Sequence, residues 1–357
     1  MASTVIIAEA GVNHNGDAEL ALRLVDAAAD AGADIVKFQT FKAESLATAA
    51  AVKADYQVTN TREGGSQVDM LRRLELTQEQ HHALLARCNA RGIRFMSTAF
   101  DSESLAFLAT LGMPAIKIPS GDITCAPLLL QAARLRRPMF VSTGMSTLGD
   151  IEAALGVIAH GLTTTAEPTG KRDFEAAYAA PEGRRALQEH VTLLHCVTQY
   201  PAPAHAVNLR AMKTLATAFG LPVGYSDHTL GVDIALAAVA LGASVIEKHF
   251  TIDRTLAGPD HAASLEPAEL ARLVVGIRTI ELALGSSDKV PAPDEMANRA
   301  VARRSVVAAK PIRAGEPIAL GSLTCKRPGS GISPMEVWDL AGTSASRDYG
   351  IDDPIER

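Results

Sequence analysis

Two histidines stand at the ends of neighbouring apolar runs in the second half of the sequence. These are His228 and His249, and the carboxylates of Glu9, Glu247 and Asp260 lie near them if the runs are adjacent strands. Two imidazoles with carboxylates and water around them suit a divalent metal ion that polarises a carbonyl oxygen or generates a nucleophilic water. Hydrogen bonding in a core would explain one such histidine, but the pair favours a metal site.

Two lysines lie inside runs that are otherwise typical of buried strands. Lys37 and Lys117 are each close to small hydroxyl residues or glycines, and Ser120 and Ser142 follow on consecutive runs. A lysine supplies a point charge, while serine hydroxyls and glycine backbone can approach an anion closely. The pattern predicts a site for an anion that carries phosphate and carboxylate groups.

The elements that must position these residues are eight short β-branched runs separated by amphipathic segments. The runs are Val5–Ala10, Asp34–Thr40, Arg94–Phe100, Ala115–Ser120, Pro138–Gly144, Val191–Val197, Pro222–Asp227 and Ser244–Thr251. Such alternation predicts parallel strands with crossover helices. We therefore predict an α/β fold, a (β/α)8 TIM barrel. A doubly wound open sheet is the alternative, but no GxGxxG motif opens the first crossover.

Parallel strands buried on both faces are normally apolar throughout, so polar residues within them need an explanation. Lys37 and Gln39 are two residues apart and share one strand face, as do Glu247 and His249, while Lys248 is predicted to point toward the helix layer. The carboxyl ends of barrel strands carry the active site. Further polar residues at these ends are Glu9, Thr98, Thr198, Tyr200 and Ser226.

Two long connections interrupt the alternation. The connection 42–76 follows the second strand, and loops of this length are usually functional or disordered, so we expect it to contribute to the site. The connection 160–190 lies between a helix and the next strand, on the opposite side, and is predicted to be a peripheral insertion. The barrel domain is predicted to span residues 1–285.

The end of the chain has a different composition. A proline-containing linker is predicted at 286–300, followed at 301–357 by a small β-rich domain with strands Ser305–Ala308, Ile318–Leu320 and Leu323–Lys326. A domain of this size is marginal in isolation and is expected to pack on a partner surface.

Composition excludes several classes of function. The 357 residues carry a formal net charge of -6, which provides no broad basic surface for nucleic acid. Since no stretch of about 18 uninterrupted apolar residues is present, we expect no membrane span. The cysteines are far apart without a CxxC pair, which favours a reducing compartment, and we expect a cytoplasmic location.

Several motifs, taken together and in order, resemble the bacterial sialic acid synthases. They are the segments 7–16 (IAEAGVNHNG), 36–40 (VKFQT), 117–122 (KIPSGD), 142–145 (STGM), 224–229 (GYSDHT) and 247–251 (EKHFT). The segment 326–334 (KRPGSGISP) resembles their C-terminal antifreeze-like SAF domain, a β-clip fold. The resemblance implies a TIM barrel joined to this domain, in a domain-swapped homodimer with a divalent metal ion. Mn2+ is expected, with Mg2+ or Co2+ as alternatives.

The resemblance also implies roles for individual residues. It implies that the metal ligands are His228 and His249 and that Glu9 and Glu247 are the catalytic candidates for activating water or transferring protons. Phosphoenolpyruvate (PEP) would contact Lys37, Thr98, Lys117, Ser120, Ser142, Thr198 and Ser226. The sugar would contact Gln39, Tyr56, Asp122, Tyr200, Asp260 and, from the partner subunit, Arg327. Thr198 stands where relatives have Asn or Ser, and Ala99 where they usually have Pro.

The reaction expected from the resemblance is condensation of PEP with an open-chain N-acetylated hexose. N-acetylmannosamine is the main expectation, with N-acetylneuraminic acid and phosphate as products. A synthase for N,N'-diacetyllegionaminate or pseudaminate is the alternative within the family. Enzymes that make seven- or eight-carbon sugar acids are more distant, because the antifreeze-like segment argues against them. A non-catalytic carbohydrate-binding protein should lack the lysine and histidine pairs, and all four residues are present.

Overall fold

The computed structural model describes residues 3–61 and 65–357, with side chains for all of these except Asp55, Tyr56 and Thr59. The chain divides into two compact units, Met1–Gly285 and Ser286–Arg357. Among the described residues, no helix is both long and apolar enough to cross a membrane.

The first unit is built on a parallel sheet of eight strands. The strands are β1 Val5–Gly11, β2 Ile35–Thr40, β3 Arg94–Ala99, β4 Ile116–Ile118, β5 Met139–Ser142, β6 Val191–Cys196, β7 Val223–Asp227 and β8 Val245–His249. Hydrogen bonding runs in the order β3-β2-β1-β8-β7-β6-β5-β4, and β3 and β4 nearly close the ring. The predicted (β/α)8 barrel is confirmed. β4 ends earlier than predicted because Pro119 offers no N–H and a 3-10 turn begins at Ser120.

Helices follow the strands, and most of them cover the outside of the barrel. They are α1 Ala18–Asp30, α2 Ala43–Leu46, α3 Asp55–Thr61, α4 Gln67–Arg72, α5 Gln78–Arg91, α6 Ser102–Thr110, α7 Ala126–Arg134, α8 Leu148–Thr163, α9 Lys171–Ala179, α10 Pro181–His190, α11 Ala204–Val207, α12 Ala211–Phe219, α13 Asp233–Ala240 and α14 Pro267–Leu284. Local sequence sets their starts: Asp17 caps α1 by accepting hydrogen bonds from two backbone N–H groups, and Thr77 with Gln80 forms a capping box on α5.

The main core lies between the sheet and this helix layer. Helix α1 shows how the layers pack, since Ala21, Leu24, Val25 and Ala28 recur at helical spacing and are all buried. Burying a leucine side chain contributes roughly 1.5–3 kcal/mol, so this repeated apolar face holds each helix against the strands. The barrel interior at the carboxyl ends of the strands is polar instead, which leaves it available for chemistry.

The connection 160–190 is largely helical. It extends α8 to Thr163 and contains α9 and α10, which pack against α8. At Gly156 of α8, a Cβ atom would lie 2.9 Å from the Phe174 carbonyl oxygen of α9, so this close approach requires glycine. The two helices lead into the amino end of β6, away from the carboxyl ends of the strands.

The second unit contains helix α15 Glu295–Ala302 and the antiparallel pair β9 Ser305–Ala308 and β10 Leu323–Lys326. Helix α15 begins within the segment predicted as a linker and covers its last six residues, 295–300. The predicted strand Ile318–Leu320 is wrong: the Ile318 N–H donates to the Thr343 carbonyl oxygen, and a 3-10 turn begins at Leu320. Ile318 instead enters a small core with Val306, whereas Leu320 is exposed.

Candidate active site

A cavity of about 230 Å³ opens at the carboxyl ends of the strands, and every strand of the barrel contributes to its lining. Parallel pairing brings the polar residues to one level, because Glu9 pairs in register with both Lys37 and His249, and Ser226 pairs with Glu247. The predicted residues that line the cavity are Glu9, Lys37, Gln39, Thr98, Lys117, Ser120, Ser142, Thr198, Tyr200, Ser226, His228, Glu247, His249 and Asp260.

Two lysines and two glutamates form a buried ion-pair network on the floor of the cavity. Lys37 Nζ pairs with Glu9 Oε2, lies 3.6 Å from Glu247 Oε2 and donates a hydrogen bond of 2.9 Å to Thr98 Oγ1. Lys117 Nζ lies 3.3 Å from Glu247 Oε1. The two cations are thereby balanced by two carboxylates in the free site.

The two glutamates differ in protonation. Burial raises the pKa of Glu9 to about 7, although Lys37 opposes the shift. Burial also opposes ionisation of Glu247, but Lys117, Lys37 and the hydrogen bond from Ser226 Oγ, at 2.8 Å, outweigh it and lower the pKa to about 2. Glu247 is therefore ionised at neutral pH, while Glu9 can gain or lose a proton there.

Hydroxyl groups converge beside Lys117. The Gly144 N–H donates to Ser120 Oγ at 3.0 Å, and a Cβ atom on Gly144 would lie 2.3 Å from Thr198 Oγ1 and 2.7 Å from Ser120 Oγ. Only glycine allows both hydroxyls to come this close. Within the described residues, the buried Ser142 Oγ has no hydrogen-bond partner. This group of donors can accommodate a phosphate.

The two predicted metal ligands face each other across the cavity, with ring centroids 5.6 Å apart. His228 Nδ1 donates to the Val197 carbonyl oxygen at 2.7 Å, so in the neutral ring Nε2 carries the lone pair. Burial opposes a charge on His228, but Cys196, the Val197 carbonyl and Glu247 outweigh it and raise its pKa, so an ion would compete with a proton for this nitrogen. Burial and the neighbouring His228 lower the pKa of His249 well below its usual value, so this ring is neutral. No three His, Cys, Asp or Glu side chains within 3–61 and 65–357 form a metal-binding group. The protein would supply two imidazoles to an ion.

One side of the cavity is apolar. This apolar wall consists of Val12, Met70, Leu74 and Phe100, which line the cavity together with Leu71. Met70 and Leu74 come from the connection 42–76, which therefore reaches the site as expected. A second cavity of about 220 Å³ shares Met70 and Leu74 as lining residues.

Comparison with known protein families identifies the family of this chain. The model of the NeuB family matches residues 24–289, which is most of the chain. The chain belongs to the NeuB family. The SAF domain model matches residues 303–356, so the predicted antifreeze-like domain follows the NeuB barrel.

Three relatives illustrate the similarity of this NeuB chain to known proteins. It is 46% identical to N,N'-diacetyllegionaminic acid synthase of Campylobacter jejuni over 99% of both chains. It is 45% identical to the enzyme of the same name from Legionella pneumophila, covering 96% of this chain and 90% of the relative. The crystal structure of N-acetylneuraminic acid (sialic acid) synthetase from Leptospira borgpetersenii is 34% identical, has a TM-score of 0.67 and covers 83% of this chain and 90% of that one.

Three predicted sugar contacts of this NeuB chain are not among the described side chains that line the cavity. Asp122 does not line the cavity, but its carboxyl group is largely buried near Lys117, and burial raises its pKa to about 6 although Lys117 opposes the shift. Arg327 belongs to the second unit, where its Nε donates to the Ala302 carbonyl oxygen at 2.9 Å. The side chain of Tyr56 lies outside the described residues, although its neighbour Gln57 lines the cavity.

Sequence reasoning missed other residues that line the NeuB cavity. Cys196 ends β6 and its Sγ lies 3.8 Å from His228 Nδ1, and its position at a strand end was the signal that could have identified it. Met70, Leu74 and Phe100 were missed because apolar residues in a connection give no chemical signal. Pro259 precedes Asp260, and its carbonyl oxygen accepts a hydrogen bond from the Asn60 side chain.

Proposed function

We propose that the chain condenses PEP with an open-chain 2,4-diacetamido-6-deoxy hexose, giving N,N'-diacetyllegionaminic acid and phosphate. Two relatives at 46% and 45% identity bear the name of this synthase, whereas the sialic acid synthetase of known structure is 34% identical. The comparisons therefore favour this product over N-acetylneuraminic acid, which the sequence analysis took as the main expectation.

The observation that carries the proposal is the arrangement of cations and hydroxyls in the barrel. PEP bears a carboxylate and a phosphate, and the cavity offers Lys37 with Thr98 for one and Lys117 with Ser120 for the other. Further phosphate contacts are proposed for Ser142, Thr198 and Ser226. Glu9 and Glu247 pair with the lysines in the free site. An anion that binds must therefore displace these carboxylates from the lysines.

In the proposed reaction, C3 of PEP attacks the aldehyde carbon and forms the new C–C bond. Water adds to C2, and the C–O bond to phosphate breaks. The alkoxide from the aldehyde must gain a proton. The water must lose two, one as it attacks C2 and one to the departing phosphate as the C2 hydroxyl becomes a ketone. Glu9 suits this proton exchange because its pKa is about 7. Glu247 stays ionised and holds Lys37 and Lys117 in place.

The residues present fit a divalent metal ion. His228 Nε2 is available as a ligand, and His249 Nδ1 is buried without a hydrogen-bond partner in the described part of the chain. Two protein ligands leave positions for water and for a substrate oxygen, and an ion bound there, Mn2+ in our proposal, would polarise the aldehyde carbonyl. Gln39, Tyr200 and Asp260 line the same cavity, and we propose that they orient the remainder of the sugar.

The apolar wall supports the choice of a deoxy sugar. A terminal methyl group packed against Met70 and Leu74 would leave no hydroxyl unsatisfied. A hydroxymethyl or phosphate group at the same place would lose its hydration without gaining a partner from this wall. The chemistry of the wall therefore favours a 6-deoxy acceptor.

Phosphate release measured with Mn2+, PEP and a panel of acceptors tests the proposal. The panel contains the 2,4-diacetamido-6-deoxy hexoses, N-acetylmannosamine and its 6-phosphate, and His228→Ala and a chelated sample serve as controls. We expect the highest kcat/KM with a diacetamido sugar and no release in either control. Preference for N-acetylmannosamine would reject the product assignment. Release with none of them would instead indicate a carbohydrate-binding protein without catalysis.

We also propose a domain-swapped homodimer in which Arg327 of the partner subunit contacts the acetamido end of the sugar. The match of the SAF domain to residues 303–356 supports a separate unit that could be exchanged in this way. The cysteines Cys88, Cys125, Cys196 and Cys325 are free, in keeping with a cytoplasmic location. Light scattering of the purified chain tests the dimer.

A further inference from the structure

A buried ion pair joins β7 and β8 on the side of the sheet that faces the helices. Lys248 Nζ lies 2.7 Å from Asp227 Oδ2, and both side chains are 0% exposed. The two residues are also backbone partners in the parallel register. On the opposite face, the preceding pair Ser226 and Glu247 forms the hydrogen bond on the cavity floor. The two strands are thus tied together on both faces.

The Asp227 carboxylate also accepts hydrogen bonds from residues on either side of His228. Its Oδ1 accepts hydrogen bonds of 2.8 Å from both the backbone N–H and the hydroxyl of Thr229. Tyr225 OH donates to the same oxygen at 3.1 Å. These contacts lie on both sides of His228 in the chain, so they restrict the backbone that carries its imidazole.

Lys248 links the turn that carries His228 to β8, which carries the second imidazole. Its Nζ donates to the Thr229 carbonyl oxygen as well as to Asp227, and it directly precedes His249. A displacement of β8 would therefore strain the turn that carries His228. The ion pair and its hydrogen bonds link the positions of the two histidines, which lie one residue beyond the pair on each strand.

Stability alone gives little reason for this pair. Desolvating a lysine and an aspartate is costly, and apolar residues of similar size often match or exceed the stability of a buried ion pair. Neither residue lines the cavity. The charges of Asp227 and Lys248 are therefore better explained by the positions that they impose on β7 and β8 than by a gain in stability.

We propose that Asp227 and Lys248 are positioning residues that set the separation of the His228 and His249 imidazoles and thereby the affinity for a divalent metal. The inference rests on the metal site of the proposed function. Groups that hydrogen-bond metal ligands directly typically contribute about 10- to 100-fold to metal affinity, and since Asp227 and Lys248 act through the backbone of the ligands, we expect an effect at the lower end, about 10-fold.

The experiment uses the double variant Asp227→Asn/Lys248→Met in the full-length chain. It removes both charges and the tie between the strands, while the Asn amide oxygen can still accept hydrogen bonds from Tyr225 and Thr229. The single variant Lys248→Met leaves a buried unpaired carboxylate and should be the less stable of the two. Thr40→Val is the matched control, because Thr40 is buried in another network, with His81 and Ser97, between β2 and β3.

Three quantities are measured: the unfolding midpoint, the Mn2+ dissociation constant from the EPR signal of free Mn2+, and the ring separation in a crystal structure. We expect the folded double variant to bind Mn2+ about 10-fold more weakly and to depart from the 5.6 Å ring separation. Thr40→Val should keep both values. A folded double variant with unchanged affinity and separation would overturn the proposal.

Absence of Mn2+ binding to the unmodified chain would have a different meaning. It would reject the metal assignment of the proposed function, and the ring separation in the double variant would then decide the role of Asp227 and Lys248 by itself.

Discussion

The substitution Lys37→Met removes the cation shared by two buried glutamates. Lys37 Nζ pairs with Glu9 and lies 3.6 Å from Glu247, and all three side chains are almost inaccessible to solvent. Breaking a buried pair from one side costs about 3–5 kcal/mol of unfolding free energy. Glu247 keeps Lys117 at 3.3 Å, so the loss should come chiefly from Glu9.

The cost of Lys37→Met should depend on pH. The pKa of Glu9 is raised to about 7 even beside the lysine, and removing the lysine raises it further. At pH 6 the carboxyl is protonated and the unpaired charge disappears, whereas at pH 8 part of the penalty remains. We therefore expect a larger loss of stability at pH 8 than at pH 6. Urea unfolding at the two pH values measures this difference.

The same substitution should weaken PEP binding. Truncating one partner of a buried charge pair in a complex costs about 2–5 kcal/mol, so a loss of at least about 30-fold in affinity is expected by calorimetry. The double variant Lys37→Met/Glu9→Gln removes the unpaired charge and should recover stability without recovering PEP binding. A Lys37→Met chain with unchanged stability and unchanged PEP affinity would refute both the network and its role in anion binding.

Three further predictions concern the same cavity and the C-terminal unit. The Kd for PEP should rise as pH increases through about 7, because ionised Glu9 competes with the substrate carboxylate for Lys37, and Glu9→Gln should flatten this dependence in calorimetric titrations. Met70→Gln should lower kcat/KM for a 6-deoxy acceptor about 10-fold relative to N-acetylmannosamine, while Met70→Leu retains the preference; equal losses for both sugars would argue against the methyl contact. Arg327→Ala should raise KM for the sugar far more than KM for PEP in steady-state kinetics, and equal effects would contradict its contact with the acetamido end.

Much of the site could be predicted because charged and polar residues are unusual inside buried parallel strands. A lysine or glutamate inside a β-branched run has no packing role, so Lys37, Lys117 and Glu247 were identifiable from residue type and the strand period alone. The order of the strands in a closed ring then implied that their carboxyl ends meet.

Other parts could not be predicted, since they depend on contacts between segments far apart in the chain. Met70 and Leu74 look like ordinary apolar residues until the connection 42–76 folds over the cavity. Asp122 looks equivalent to Ser120, yet the 3-10 turn after Pro119 directs the two residues differently. Ile318 is β-branched, as strand residues often are, but it packs in the small core of the second unit without belonging to a strand.

The sequence by itself determined the barrel and the presence of two lysines and two histidines at the carboxyl ends of its strands, because local periodicity and residue type are sufficient for these. Only the tertiary structure decided that Glu9 has a pKa of about 7 while Glu247 has one of about 2. Both are glutamates at strand ends, and the difference arises from which cations and hydroxyls surround each carboxylate. The link between Asp227 and Lys248 is of the same kind, since it exists only once β7 and β8 lie side by side.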